Sequence, residues 1–81
     1  MTTAKLLTII VQLAQQKRLK AIKVWDVIEY AQQTEGVEKE EIWMLIRTLE
    51  RRGCVDLVVA EQAGIVAVSL TPVGQAQAAR N

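Results

Sequence analysis

The chain has 81 residues, of which 51% are hydrophobic and 23% are charged, and its net charge is +1. This composition fits one globular domain over residues 1–81 with a single small core, and it excludes a disordered chain. The chain holds one cysteine and no histidine, so it can form neither an internal disulfide nor a Cys/His zinc site. A reducing, cytoplasmic location is the simplest expectation.

The first predicted element is a helix from about Thr3 to Lys17. Thr2 or Thr3 is placed to cap it, and its apolar residues recur at helical spacing. Leu7 and Val11 widen this apolar stripe beyond what one side of a small core needs. A short extended piece at 19–22 follows. The inward positions of the helix are Leu6, Ile9, Ile10 and Leu13.

Two further helices are predicted, over about 24–33 and 38–52. Gly36 supplies the left-handed turn that ends the second helix, and Gly53 closes the third. Trp25 and Tyr30, on the second helix, are expected to be partly buried. The inward positions are Val24, Val27, Ile28 and Ala31 in the second helix, and Ile42, Leu45, Ile46 and Leu49 in the third.

The residues after Gly53 change from helical to strand character. Segments 54–60 and 65–70 are rich in valine and isoleucine, and a turn ending at Gly64 joins them into a hairpin. Thr71-Pro72 then predicts a final short helix over about 71–80, because threonine caps helices and proline suits the first helical position. Gly74 within this helix counts against it.

Two stretches resemble a known family. "GVEKEEIWMLIRTLERRGCV" (36–55) is similar to the turn, recognition helix and Leu-Glu-x-x-Gly exit of winged helix-turn-helix domains. "VSLTPVG" (68–74) is similar to the Leu-Thr-x-x-Gly segment after the second wing strand of MarR-like and PadR-like regulators. The resemblance implies an α+β fold with a three-helix core, a two-stranded hairpin wing and a short C-terminal helix.

The same resemblance implies a homodimeric DNA-binding regulator of transcription whose third helix enters the major groove of double-stranded DNA. Carried over by position, Lys39, Glu40, Met44 and Arg47 would lie nearest to the bases. Phosphate contacts would come from basic residues in the segment 17–23 and at the end of the third helix. These residues are Lys17, Arg18, Lys20, Lys23, Arg47, Arg51 and Arg52.

Other features favour a winged-helix module that binds a protein instead of DNA. The third helix begins with three carboxylates, which would repel phosphates but also suit the positive end of a helix dipole. The hairpin has no lysine or arginine, and Glu61 lies at its tip. Trp43 and Met44 adjoin the inward stripe. If both are exposed, the pair would suit a protein partner. The alternative is that Trp43 simply covers the edge of the core. The three carboxylates are Glu38, Glu40 and Glu41.

The surplus apolar surface of the first and last helices predicts a symmetric dimer, although a slightly apolar monomer surface is the alternative. The expected dimer or partner residues are Leu7, Val11, Trp43, Val73 and Ala76. Catalysis is not expected, since no histidine, glycine-rich phosphate loop or paired carboxylates in a cleft are present, and no cofactor or metal is implied. Cys54 is expected to be a buried, inert thiol.

Overall fold

The structure is a computed structural model that describes residues 1–60 and 64–80. The structure has the α+β class that the sequence predicted, and its element order is compatible with a winged-helix layout. In the described residues, four helices and three strands follow one another as α1 (Thr3–Lys17), β1 (Ala21–Lys23), α2 (Val24–Glu35), α3 (Lys39–Arg51), β2 (Val55–Ala60), β3 (Ile65–Leu70) and α4 (Pro72–Arg80).

Helix α1 has the predicted bounds, and local residues explain both ends. The Oγ1 atom of Thr2 accepts a hydrogen bond from the backbone N–H of Lys5 at 3.1 Å, which confirms the predicted cap. Arg18 ends the helix in the left-handed conformation with a φ of 54°. A residue with a side chain seldom adopts this conformation, and here it turns the chain towards β1.

Helices α2 and α3 agree with the predicted elements but differ at their ends. Helix α2 ends at Glu35 and not at Gln33, and Gly36 then takes the predicted left-handed conformation with a φ of 64°. Helix α3 begins at Lys39, because Glu38 has extended backbone and is its N-cap residue. Both predicted inward stripes are buried or half-buried, so the helical periodicity identified the core correctly.

The sheet has three strands where the sequence predicted a two-stranded hairpin. The described strands are antiparallel in the order β1-β3-β2. Strand β2 pairs with β3 from Val55↔Leu70 to Ala60↔Ile65, which is the predicted hairpin. Strand β1 adds to the other side of β3 through residues 21–23, so the predicted extended piece joins the sheet.

The core lies where α1, α2 and α3 meet the inner part of the sheet. Cys54 is among the buried residues, as predicted. Within the described part of the chain, no polar or charged residue is buried, so the core depends on apolar packing. Its members are Leu6, Leu7, Ile9, Ile10, Leu13, Ile22, Val24, Val27, Ile28, Ala31, Ile42, Ile46, Leu49, Cys54, Val55 and Val68.

The start of α4 is docked against the residues that follow α3. Thr71 donates two hydrogen bonds to this segment, from its hydroxyl to the Gly53 carbonyl and from its N–H to the Cys54 carbonyl at 3.1 Å. The N–H of Gly74 donates back to the Thr71 hydroxyl at 3.0 Å, which is the predicted cap. A Cβ atom at Gly74 would overlap the Cys54 carbonyl oxygen, so the helix needs glycine there. We call these four residues the α3–α4 clamp.

Candidate functional site

Helix α3 turns one side towards solvent because its apolar residues occupy the other. Ile42 and Ile46 are completely buried, and Leu49 is nearly so. On the opposite side of the helix, Met44 is 70% exposed. We call the outward side the α3 face; it comprises Glu40, Met44, Arg47, Thr48 and Arg51.

Neither arginine of the α3 face forms an ion pair with a described carboxylate, although Glu50 borders the same surface depression as both arginines. Arg47 and Arg51 are both exposed and lie one helical turn apart. Arg51 donates a hydrogen bond of 3.4 Å to the Thr48 hydroxyl. In the described part of the chain, the one ion pair joins Lys17 and Asp26, with 3.6 Å between Nζ and Oδ2. Both guanidinium groups therefore keep their charge available to a ligand.

Arg52 lies off the α3 face, although the predicted site groups it with Arg47 and Arg51 as a phosphate contact. Its Nη1 donates a hydrogen bond of 3.2 Å to the Thr3 hydroxyl at the start of α1. Successive residues of a helix are about 100° apart around its axis, so Arg52 points towards α1 while Arg51 points outward. Arg52 also lines a depression formed by α1, the end of α3 and α4.

A groove lies between the first turns of α2 and α3 and strand β3. Its volume is about 290 Å³. Trp25 is 62% exposed, so most of its side chain lies outside the core, contrary to expectation. Tyr30 packs against the core, as expected. The Nζ atom of Lys39 lies 5.3 Å from the centre of a Trp25 ring, a cation–π contact. We call this the tryptophan groove; its lining is Lys23, Val24, Trp25, Ile28, Lys39, Trp43, Gly64, Ile65 and Val66.

The tryptophan groove and the α3 face are continuous through Trp43. This half-buried side chain packs against the core, as expected, and also lines a shallow depression of about 450 Å³ on α3. Met44, Arg47 and Arg51 line the same depression. One surface therefore runs from Lys23 and Lys39, beside the two tryptophans, to the exposed arginines of α3.

The basic residues of segment 17–23 do not lie on one common surface. Lys17 pairs with Asp26 on a side of α2 that also carries Tyr30, away from the tryptophan groove. Arg18 and Lys20 are exposed in the connection between α1 and β1. Lys23 is the residue of this segment that lines the groove. The structure thus brings part of the predicted basic set to α3 and leaves the rest elsewhere.

The three carboxylates at the start of α3 are all exposed. Glu38 occupies the N-cap position but accepts no backbone hydrogen bond through its side chain. Glu40 and Glu41 lie in the first turn, where negative charge favours the helix dipole. Glu40 is also on the α3 face, so it lowers the positive potential of that surface.

The predicted dimer residues fall on separate surfaces. Leu7 is completely buried within the chain, so its side chain cannot contact a partner and that prediction is wrong. Val11 lines a groove of about 420 Å³ between α1 and α4. Val73 and Ala76 are exposed on α4, whereas Trp43 lies on α3, well apart from them in the fold.

The hairpin presents apolar side chains to solvent. Val58 and Val59 are both exposed, and consecutive strand residues face opposite sides, so the end of β2 projects beyond the core. Ile65, which pairs with Ala60, is also exposed. Strand β2 is at an edge of the described sheet, with no described strand on its outer side. The predicted tip residue Glu61 lies outside the described residues.

Neither a metal centre nor a membrane-spanning helix is evident in the described residues. No group of three His, Cys, Asp or Glu side chains there is arranged to hold a metal ion. No described helix has both the length and the apolar character that crossing a membrane requires. Comparisons with family models, curated proteins and solved structures find no match for this chain. Function is therefore inferred from the residues and their geometry.

Sequence reasoning missed the exposure of Trp25 and the close approach of Gly74 to Cys54. Trp25 directly follows the first buried residue of α2, a position that turns it away from the core. The glycine at position 74 was a signal of close backbone approach, since glycine inside a helix often marks a tight contact. The exposure of Trp25 and the contact at Gly74 can be identified only when the relative positions of the elements are known.

Proposed function

We propose that this chain is a winged helix-turn-helix protein that binds double-stranded DNA through the α3 face and regulates transcription. The observation that carries the proposal is the exposed Arg47 and Arg51, one turn apart, with no carboxylate paired to either among the described residues. Guanidinium groups bind phosphates and guanine edges with paired hydrogen bonds. A helix of this kind is the element that winged-helix domains insert into the major groove.

Lys23 and Lys39 extend the proposed DNA surface beyond the arginines. Both line the tryptophan groove next to the first turn of α3. Lysine side chains bind phosphate oxygens of the DNA backbone, which fixes the orientation of the protein without reading sequence. In this proposal, Arg47 and Met44 lie nearest to the bases, and Lys23, Lys39 and Arg51 contact the backbone.

A homodimer is part of the proposal, and the groove between α1 and α4 is its interface. Val11, Ala14 and Ala78 line the groove and present apolar surface to solvent. A second copy related by twofold symmetry would cover this surface and would supply a second α3 helix. A cytoplasmic location, expected from the lone cysteine, belongs to the same proposal.

The test is a titration of the protein against random-sequence duplex DNA at roughly 50 mM and 200 mM salt, because contacts with phosphate release counterions. The oligomeric state is measured in the same samples. We expect binding to weaken steeply with salt. The Arg47→Ala/Arg51→Ala variant should lose about tenfold or more in affinity, since one such contact contributes about 1–3 kcal/mol.

The matched control is Arg52→Ala, which removes the same charge from the neighbouring position on the other side of α3. Its loss of affinity should be clearly smaller than that of Arg51→Ala, because Arg52 contacts Thr3 of α1. Unchanged affinity in the double variant would remove the proposed mechanism. Equal losses for Arg51→Ala and Arg52→Ala would show that overall charge, and not the α3 face, governs binding.

The second candidate function is a winged-helix module that binds a protein. The observation that favours it is the exposed apolar surface of Met44 and Trp25, which is unusual for a surface that meets only phosphates. The titration separates the two. Two results together would support the second function: the protein shows no salt-dependent DNA binding, and its Met44→Asp variant no longer associates with a partner.

A further inference from the structure

We propose that the tryptophan groove binds an unpaired nucleotide of a DNA strand, so that the chain prefers duplex ends with a single-stranded overhang. The inference rests on the proposed function and names a more specific ligand for the same surface. Its evidence is the combination of an exposed indole, a second indole and two ammonium groups around one depression of about 290 Å³. That volume is at the small end of ligand pockets and suits one planar ring system.

The aromatic side chains provide a stacking surface. Trp25 is 62% exposed although it borders a groove with an apolar floor of Val24 and Ile28. The ammonium of Lys39 lies 5.3 Å from its ring centre, so the indole is held by a neighbour. Aromatic faces of this kind stack on nucleobases irrespective of base identity.

The charge around the groove favours an anionic ligand. Lys23 and Lys39 line it, and none of the lining residues that the structure describes is a carboxylate. The α3 face differs, because Glu50 borders the depression there. A nucleotide supplies both features that the groove complements, a planar base for the tryptophans and a phosphate for the lysines.

An unpaired base fits the groove better than a paired one. In a duplex, neighbouring base pairs stack on each other and expose only their edges to the grooves. An indole can reach the face of a base only when that base has left the stack or lies in a single strand. Because the groove adjoins the α3 face through Trp43, a duplex that binds α3 and terminates beside Trp43 would bring its strand end to the tryptophans.

The experiment compares the affinity of the protein for three DNAs that share one short duplex: blunt, with a single-stranded overhang, and with an overhang of abasic nucleotides. We expect the natural overhang to bind about tenfold more tightly than the blunt duplex, the gain that one stacked base provides. The abasic overhang should show little of this gain, since it keeps the phosphates and lacks the base. Equal gains from both overhangs would attribute the effect to charge and overturn the proposal.

The variants assign the effect to the groove. In Trp25→Ala, the ratio between overhang and blunt affinities should fall from about ten to near one. Leu19→Ala, which changes an exposed apolar residue between α1 and β1, is the control and should keep the ratio. The chain has two tryptophans, so the Trp43→Phe variant retains only Trp25 as a tryptophan fluorophore. The natural overhang should quench this fluorescence, and the abasic overhang should not.

The outcomes separate this proposal from the function on which it rests. Duplex binding with no preference for the overhang leaves the proposed function standing and overturns the groove proposal. An overhang preference that survives in Trp25→Ala overturns it as well. No binding to any of the three DNAs overturns the proposed function itself.

Discussion

The inner and outer sides of α3 differ in almost every physical property. On the inner side, Ile42 and Ile46 are completely buried against other helices. On the outer side, Met44 is 70% exposed and Arg47 makes no ion pair with a described residue. The residues that directly follow α3 also stabilise the fold, because Thr71 and Gly74 of the α3–α4 clamp contact them.

This difference separates stability from binding along a single helix. Burial of apolar side chains and satisfied backbone groups stabilise the fold, so substitutions there should change the free energy of unfolding. Exposed side chains without partners contribute little to that free energy. The charged groups on the outer side are therefore free to serve a ligand. Four substitutions of decreasing expected effect test this separation.

The largest effect is expected from Ile46→Ala. Removing a completely buried isoleucine leaves a cavity and should lower the free energy of unfolding by about 2–5 kcal/mol. The adjacent Arg47→Ala should change it by less than about 0.5 kcal/mol, because Arg47 is exposed. Urea unfolding of both variants measures the contrast. Similar losses would mean that the outer side of α3 also stabilises the fold.

Gly74→Ala should lower the free energy of unfolding by about 1–3 kcal/mol, because its methyl group would overlap the Cys54 carbonyl oxygen. The sign is opposite to the usual gain of about 1 kcal/mol when alanine replaces glycine inside a helix. Gln75→Ala, at the next and exposed position of α4, is the control and should be nearly neutral. A stabilised Gly74→Ala variant would show that α4 does not approach Cys54 so closely.

Thr71→Val should cost about 1–2 kcal/mol, the usual loss when a helix cap is removed. The variant keeps the shape of the side chain but loses the hydroxyl that donates to Gly53 and accepts from Gly74. Thr71→Ser restores that hydroxyl and should recover most of the lost stability in the same thermal or urea unfolding assay. Two equally destabilised variants would assign the effect to packing of the methyl group.

The smallest effect is expected from Glu40→Gln, where the two roles of α3 oppose each other. Loss of a carboxylate from the first turn should cost about 0.3 kcal/mol, the low end for an exposed group near a helix N-terminus. Affinity for duplex DNA should rise, because a negative charge leaves the α3 face. Glu35→Gln, at the C-terminal end of α2, should change stability with the opposite sign. Weaker DNA binding by Glu40→Gln would indicate that this carboxylate contacts a base.

Most elements of the fold were predictable because their signals are local. Helical spacing identified the buried stripe of α1 and of α2, and a threonine cap located the start of α4. The predicted hairpin formed because two valine-rich segments lie only a turn apart in sequence. The pairing of β1 with β3 was not predictable, since three residues carry little strand signal and their partner is distant in sequence.

The positions that the sequence did not predict have a common cause. Whether a residue beside an apolar stripe is buried depends on the neighbouring element, which the sequence of one helix does not contain. Leu7 is buried because α3 and α4 both pack near it, and Arg52 points to α1 because the exit of α3 is held there. Trp25 is exposed since the hairpin leaves a groove at its side.

The uncovered side of β2 affects how the protein will behave at high concentration. Its backbone N–H and C=O groups remain available to an extended strand of another molecule, and exposed valines surround them. Natural edge strands usually carry lysine or proline as protection, whereas Asp56 is the sole charged residue of β2. Concentrated samples should therefore tend to form intermolecular sheets, and a lysine in place of Val59 is the simplest way to keep the chains apart.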